Sequence, residues 1–283
     1  MPGPSSPDSN HDPVEQKLKI YFLPNLLTAG NLVCGFVALT KIVEADISTG
    51  NYHQIEVALG FILLACIFDL LDGRVARMGG VDSPFGREFD SLADLISFGV
   101  APAFLVHRVV LKDVIGGEWG WFVASIYLIC GAFRLARFNC LAGQPNGESS
   151  KDFLGFPIPS AAGLVSSLTL LIIQLNRNDK DLGFGRYLLV PVLLFLSWMM
   201  VSTVKYPSFK SLGLRSASTF TKAIIAALFI GLLLLLQEKA LFLLPIFFTL
   251  YLVYGFIRPR ISRHLRREIE EEDDEEETRE EHA

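Results

Sequence analysis

The chain has 283 residues, 51% of them hydrophobic, with 22 phenylalanines, a mean hydropathy of +0.41 and a formal net charge of −5. Apolar runs long enough to cross a bilayer recur along it, where a soluble domain of this size would alternate apolar and polar positions; a soluble fold and a nucleic-acid partner are excluded, and an all-α polytopic membrane protein is implied. The negative charge is local: the tail from Glu268 to Ala283 holds eleven acidic residues and one arginine, and without it the body carries 24 basic against 19 acidic residues.

In chain order, residues 1–19 form a polar, Pro/Ser-rich segment with no apolar signal-peptide core, so the first apolar segment is expected to direct insertion. Eight membrane segments are predicted, at 24–43, 55–76, 89–111, 119–139, 157–175, 187–204, 223–237 and 240–257. Lys17, Lys19, Arg74, Arg77, Arg87, Lys151, Lys205, Lys210, Arg215 and the Arg258–Arg267 cluster fall on one side of this arrangement. The opposite loops, such as 44–54, are poor in Lys and Arg, and the positive-inside rule then puts both termini in the cytoplasm. The stretch 141–156 (LAGQPNGESSKDFLGF) is rich in turn formers and reads as a cytoplasmic loop. The acidic run 268–281 is expected to be a disordered, solvating tail, with metal or partner binding as its alternative reading. Cys34, Cys66, Cys130 and Cys140 show no metal-type or paired spacing and are expected to be buried free thiols.

Inside the second and third apolar segments lies the pattern D-x2-D-G-x2-A-R-x8-G-x3-D-x3-D, formed by Asp69, Asp72, Gly73, Ala76, Arg77, Gly86, Asp90 and Asp94. Carboxylates at hydrocarbon depth are costly and need compensation, for which bound cations are the natural source. At 100° per residue the first five positions fall within an arc of ~140°, and Gly86, Asp90 and Asp94 share one face of the next helix, with Ser97 one turn further. Two helices can thus gather four carboxylates beside small residues and an arginine, the inventory for divalent metal plus diphosphate chemistry. A polar helix seam is the bland alternative. A cation transporter is another, but transport alone does not require Gly73, Ala76 and Arg77 at fixed offsets beside the acids.

This pattern resembles the signature of the CDP-alcohol phosphatidyltransferase family and matches every fixed position of it. The resemblance implies a six-helix membrane core, here followed by two C-terminal transmembrane helices, in an enzyme that displaces CMP from CDP-diacylglycerol with an alcohol. Its implied layout is an N-terminal segment 1–19, a core 20–210, C-terminal helices 211–260 and a tail 261–283. It further implies a homodimer and divalent cations, Mg²⁺ or Mn²⁺ and two per site, on Asp69, Asp72 and Asp90. Asp94 joins them as a ligand or as the proton acceptor, and the need for a base near an alcohol at pH 7 points the same way. Gly73 and Ala76 are expected to keep a flat wall for the nucleotide, and Arg77 to pair with the diphosphate. Ser83 matches a nucleotide-contacting hydroxyl of the family, or is an ordinary loop serine. Asn25, Thr28 and Asn31 give the first segment polar content, with Thr28 and Asn31 expected at the CDP moiety; Asn25 can be a helix start, and Thr28 can bond its own helix.

Which alcohol is used depends on further strings: LPNLLTAGNLVCGFVAL, SFGVAPA, GAFRLARFN, GFPIPSAAG and MVSTVKYPSFK. They resemble bacterial and archaeal members of the family that use serine, although Phe156 stands where GLPxP is more usual. L-serine, CDP-diacylglycerol and a bacterial inner membrane with a cytoplasmic site are what this implies; glycerol 3-phosphate, inositol phosphate or choline are the alternative acceptors. Arg134 and Arg137 lie about 60° apart on a helix and suit an acceptor carboxylate, with Ser97 a further acceptor-side candidate. Alternatively both arginines snorkel to lipid phosphates.

Overall fold

The computed structural model describes residues 13–47, 50–79, 83–142, 152–177, 183–207, 245, 246, 248–254 and 257. Six principal helices appear among them: α1 (Pro13–Glu44), α2 (His53–Gly79), α3 (Pro84–Val114), α4 (Gly117–Ala142), α5 (Ile158–Arg177) and α6 (Leu189–Val201). Five of these are long and apolar enough to cross a membrane, and α6, extended by a 3₁₀ turn over Gly183–Leu188, forms a shorter apolar helix. Of the eight predicted segments, 223–237 lies outside the described residues, and the described part of 240–257 is helical. A two-stranded antiparallel ribbon, β1 (Asp152–Leu154) with β2 (Lys205–Pro207), pairs Phe153 with Tyr206. That ribbon corrects the reading of 141–156 as loop throughout; three residues per strand leave no alternation to detect.

Side-chain contacts fix the direction of each helix. Arg108, late in α3, donates to the carbonyls of Val43 and Ala45 at the end of α1, at 3.2 and 2.6 Å. Arg177, ending α5, meets Glu56 at the start of α2 at 3.1 Å. Arg137, late in α4, reaches the end of α6. Odd helices therefore finish at one end of the bundle and even helices at the other. The start of α1, the end of α2, the start of α3 and the end of α4 converge, together with the ribbon.

Small residues set the packing, as expected where lipid offers no hydrophobic drive between helices. Ala38, Ala58, Ala65, Ala93, Ala101, Ala161 and Ala162 are buried, while Phe36, Leu70, Leu92 and Phe133 point outward into what the apolar composition requires to be lipid. α1 and α3 approach closely, and a Cβ on Gly35 would sit 2.3 Å from Ser97 Oγ and 2.7 Å from its Cα. Only glycine fits there.

Two helix boundaries differ from expectation. α3 begins at Pro84 rather than 89, because Ser83 caps it, accepting from the Gly86 N–H at 3.0 Å, and Pro84 occupies the first turn where its missing N–H costs nothing. α1 starts at Pro13 and runs through Pro24, its first turns built from the helix-forming Glu15, Gln16, Lys17 and Leu18. All four cysteines are free; Cys34 is buried, but Cys140 is exposed, against the expectation of burial, because α4 turns that side outward.

Candidate active site

Asp69 and Asp72 lie three residues apart on one face of α2, and Asp90 lies in the second turn of α3, directly after the short connection between them. Carboxylate oxygens of these three residues all fall within 4.8 Å of one another. Two unit charges at ~4 Å repel by about 4 kcal/mol even at an effective dielectric of 20. One oxygen, Asp90 Oδ1, is buried with no hydrogen-bond partner among the described residues. Clustered hard oxygens plus an unmet acceptor at membrane depth fit a divalent cation, which takes oxygen ligands and cancels that repulsion. The carboxylate donor set suits a hard divalent cation rather than a soft metal.

α1 supplies the support. Thr28 Oγ1 lies 2.8 Å from Asp72 Oδ2 and 3.1 Å from the Pro24 carbonyl. With one proton to give, the hydroxyl favours the charged acceptor. Asn31 Nδ2 donates to Asp94 Oδ1 at 3.1 Å, and Ser97 Oγ donates back to the Asn31 carbonyl at 3.0 Å. Asp94 stands one turn beyond Asp90 and outside the three-carboxylate group. Asn31 occupies its Oδ1, leaving Oδ2 as the oxygen on which a proton can be received. Asn31 Oδ1 is itself buried and has no partner among the described residues.

Gly73 and Ala76 are half-buried on α2, Gly73 directly after Asp72 and Ala76 one turn beyond it. Arg77 belongs to the last turns of α2, but its side chain lies outside the described residues. Ser83 is the α3 cap, so its hydroxyl oxygen has a structural partner, and Gly86 packs against it and faces Asn25 Oδ1.

The two arginines of α4 have different surroundings. Arg134 is buried, its Nε has no hydrogen-bond partner among the described residues, and it interacts electrostatically with Asp94 and Asp69. Arg137 is committed to backbone: its guanidinium donates to the carbonyls of Val201 at 2.6 Å, Ser202 at 3.0 Å, Leu154 at 3.2 Å and Met200 at 3.4 Å. Carbonyls ending a helix lack intrahelical donors, and a cation there also meets the negative end of the helix dipole. Beside it, Gly155 adopts φ +79 and packs so closely on α6 that a Cβ would lie 2.3 Å from the Met200 carbonyl oxygen. Gly155 N–H donates to Val204 and Phe156 N–H to Met199, so the GFPIP string clasps the α6 end. Phe156 is fully buried, its ring 5.7 Å from that of Tyr251, which accounts for an aromatic at that position.

The sequence reading missed one further tie. Asn139 Nδ2 donates to Ser91 Oγ and Glu88 Oε2, each at 3.0 Å, pinning α4 to α3 beside Asp90. Its only signal was a polar residue closing GAFRLARFN.

Known proteins share this arrangement in sequence. Residues 21–204 match the CDP-alcohol phosphatidyltransferase family. A Helicobacter pylori CDP-diacylglycerol–serine O-phosphatidyltransferase is 35% identical over 239 residues, covering 84% of this chain and 91% of the relative. The Bacillus subtilis protein of the same name is 36% identical over 191 residues, covering 67% and 92%. A Saccharomyces cerevisiae protein, also so named, is 36% identical over 182 residues, covering 59% and 64%. The matched span holds all four aspartates and both α4 arginines, and the chain belongs to the CDP-alcohol phosphatidyltransferase family.

Proposed function

We propose that this protein is a CDP-diacylglycerol–serine O-phosphatidyltransferase, transferring the phosphatidyl group from CDP-diacylglycerol to L-serine with release of CMP. The observation that carries the reading is the meeting of three mutually close carboxylates with a fourth, Asp94, held separately by Asn31, while Arg134 is buried within the electrostatic reach of Asp94. The relatives named for this activity support serine as the acceptor.

In this reading Asp69, Asp72 and Asp90 hold divalent cations, two per site, which when bound neutralise the diphosphate and stabilise departing CMP. Asp94 takes the proton from the serine hydroxyl on Oδ2 while Asn31 fixes its plane through Oδ1. Arg134 offers its guanidinium to the serine carboxylate, where a planar fork has the advantage over an ammonium. Ser97 bounds the same side. Thr28 steadies Asp72, and Asn31 Oδ1 is an acceptor within reach of a nucleotide donor. Gly73 and Ala76 leave room for CDP, and Arg77 pairs with its diphosphate; Ser83 starts the helix that carries Asp90 and can lend its proton to the nucleotide. The core, residues 20–210, carries this chemistry, with 211–260 and the tail 261–283 appended. The site opens to the cytoplasmic face of a bacterial inner membrane, where the Lys- and Arg-rich end of the bundle lies. A homodimer with one site per protomer completes the reading, and a fully active detergent-solubilised monomer would remove dimerisation from it.

The test is CMP release by purified protein in mixed micelles, with serine, glycerol 3-phosphate, inositol 1-phosphate or choline as acceptor. Serine-dependent release that EDTA stops and Mg²⁺ or Mn²⁺ restores is the expected outcome. Release with another acceptor but not serine overturns the substrate assignment while leaving the transfer chemistry intact.

A further inference from the structure

α3 is not a regular helix. Over Leu95–Val100 it widens into π geometry, with the Ala101 N–H donating to the Ile96 carbonyl five residues back. SFGVAPA holds a residue that disturbs the α-helical ladder there. Pro102 stands four residues after Phe98 and has no N–H, so the Phe98 carbonyl loses the donor an α-helix would give it. A buried carbonyl without a donor is destabilising, because it has given up water and gained nothing. The structure supplies a replacement from another helix: Tyr127 OH of α4 donates to Phe98 O at 3.0 Å, and Tyr127 and Phe98 are both fully buried.

This bond sits at the base of the proton-accepting group. The widened turn begins at the residue after Asp94 and contains Ser97, whose hydroxyl donates to the Asn31 carbonyl; Asn31 in turn holds Asp94 Oδ1. Gly35 presses α1 against Ser97 so closely that α3 has no room to rotate without moving both contacts. A π turn inserts one residue relative to α-helical register, which rotates the helix beyond it by about 100° against the helix before it. It therefore decides how Asp94 and Ser97 are aimed relative to the rest of α3.

We propose that Tyr127 is a positioning residue for phosphatidyl transfer: its bond to the carbonyl that Pro102 strips of a helical donor holds the π turn that aims Asp94 and Ser97 at Asn31. The proposal rests on Asp94 being the proton acceptor. Tyr127 acts through the backbone of α3, so its loss slows the chemical step and leaves CDP-diacylglycerol binding in place.

A double-mutant cycle with Tyr127→Phe and Pro102→Ala tests it, reading kcat, KM for serine and CDP-diacylglycerol affinity. Tyr127→Phe keeps the ring and removes the donor; Pro102→Ala returns an N–H four residues beyond Phe98. Tyr127→Phe is expected to lower kcat by about ten-fold with lipid affinity and serine KM changed less than about two-fold. In the Pro102→Ala background the same Tyr127→Phe change should cost less than about two-fold, because the carbonyl then regains the donor an α-helix gives it. Equal losses in both backgrounds overturn the proposal, as does an unchanged kcat in Tyr127→Phe. Should Tyr127→Phe not fold, the double variant is expected to recover folded protein, and failure to recover it counts against the shared carbonyl. Asp94→Asn measured alongside separates the two readings: near-wild-type turnover there removes Asp94 as the base, whereas the cycle alone reports whether Tyr127 and Pro102 meet at Phe98.

Discussion

At the scale of single residues, the four aspartates divide by their partners. Asp69, Asp72 and Asp90 share a space of 4.8 Å, and Asp94 is set apart by its bond to Asn31. Replacing any of the first three by Asn keeps size and removes a charge, and turnover is expected to fall by at least about 100-fold in protein that still inserts into the membrane. Wild-type-like turnover in one variant takes that residue out of the metal-binding set. Asp94→Asn is expected to behave differently, lowering kcat by about 10² to 10⁴-fold while lipid affinity stays within a few-fold. Parallel losses of affinity and turnover would make Asp94 chiefly a metal ligand. The convergence of these residues could be seen in the sequence, because a helix of known pitch turns spacing into direction. Their partition was read from family resemblance and from the need for a base near the alcohol, not from spacing. It depends on Thr28 and Asn31, which face them from a helix more than forty positions earlier and carry no spacing relation to the acids.

At the scale of elements, α4 carries two arginines one turn apart with different work. Arg134 is buried within the electrostatic reach of Asp94, its Nε without a hydrogen-bond partner among the described residues, whereas Arg137 spends its guanidinium on four backbone carbonyls. Arg134→Lys is expected to raise the serine KM by roughly five- to 150-fold, the span of about 1–3 kcal/mol for a charge-assisted bond, with CDP-diacylglycerol affinity unchanged. Arg137→Lys is expected to lower the melting temperature in detergent more than it moves the serine KM, since one ammonium cannot serve carbonyls on both β1 and α6. The reverse pattern would exchange their roles. The sequence grouped the two because charge and helical phase were all it offered; the acceptors of Arg137 are carbonyls, and no side chain announces them. The π turn of α3 shows the intermediate case. Pro102 was visible, and so was the loss of an N–H four residues from Phe98, but the donor that answers it comes from another helix. Helix existence, by contrast, was plain for α1 to α6, since the bilayer imposes length and composition together. Boundaries slipped where polar helix formers continue past the apolar run, as before Pro24, or where a Ser–Pro start lies ahead of it, as at Ser83.

At the scale of the molecule, the two ends of the bundle are built differently. One end is closed by short ties, Arg177 to Glu56 and Arg108 to the end of α1. The other gathers the acids, the buried Arg134 and the ribbon that joins the connection before α5 to the chain after α6. Arg137 is bound into that second end, and the sequence distance to its acceptors gives it a history. The Val201 carbonyl lies 64 residues further along the chain. At roughly 5 to 20 residues per second, the ribosome emits that stretch in about 3 to 13 s, during which α4 carries a guanidinium with none of its α6 partners yet made. A charge on an apolar helix is costly at the bilayer centre and cheap at the head groups, so α4 is expected to wait high in the bilayer until α6 joins it. A chain stopped at Leu196, before those carbonyls, should leave an engineered cysteine alkylation reporter on α4 water-accessible; one stopped at Pro207 should shield it. Equal accessibility in both would mean that α4 settles without its partner. Assembly of this site thus has a direction in time, with the last core helix to emerge sealing an arginine placed two helices before it.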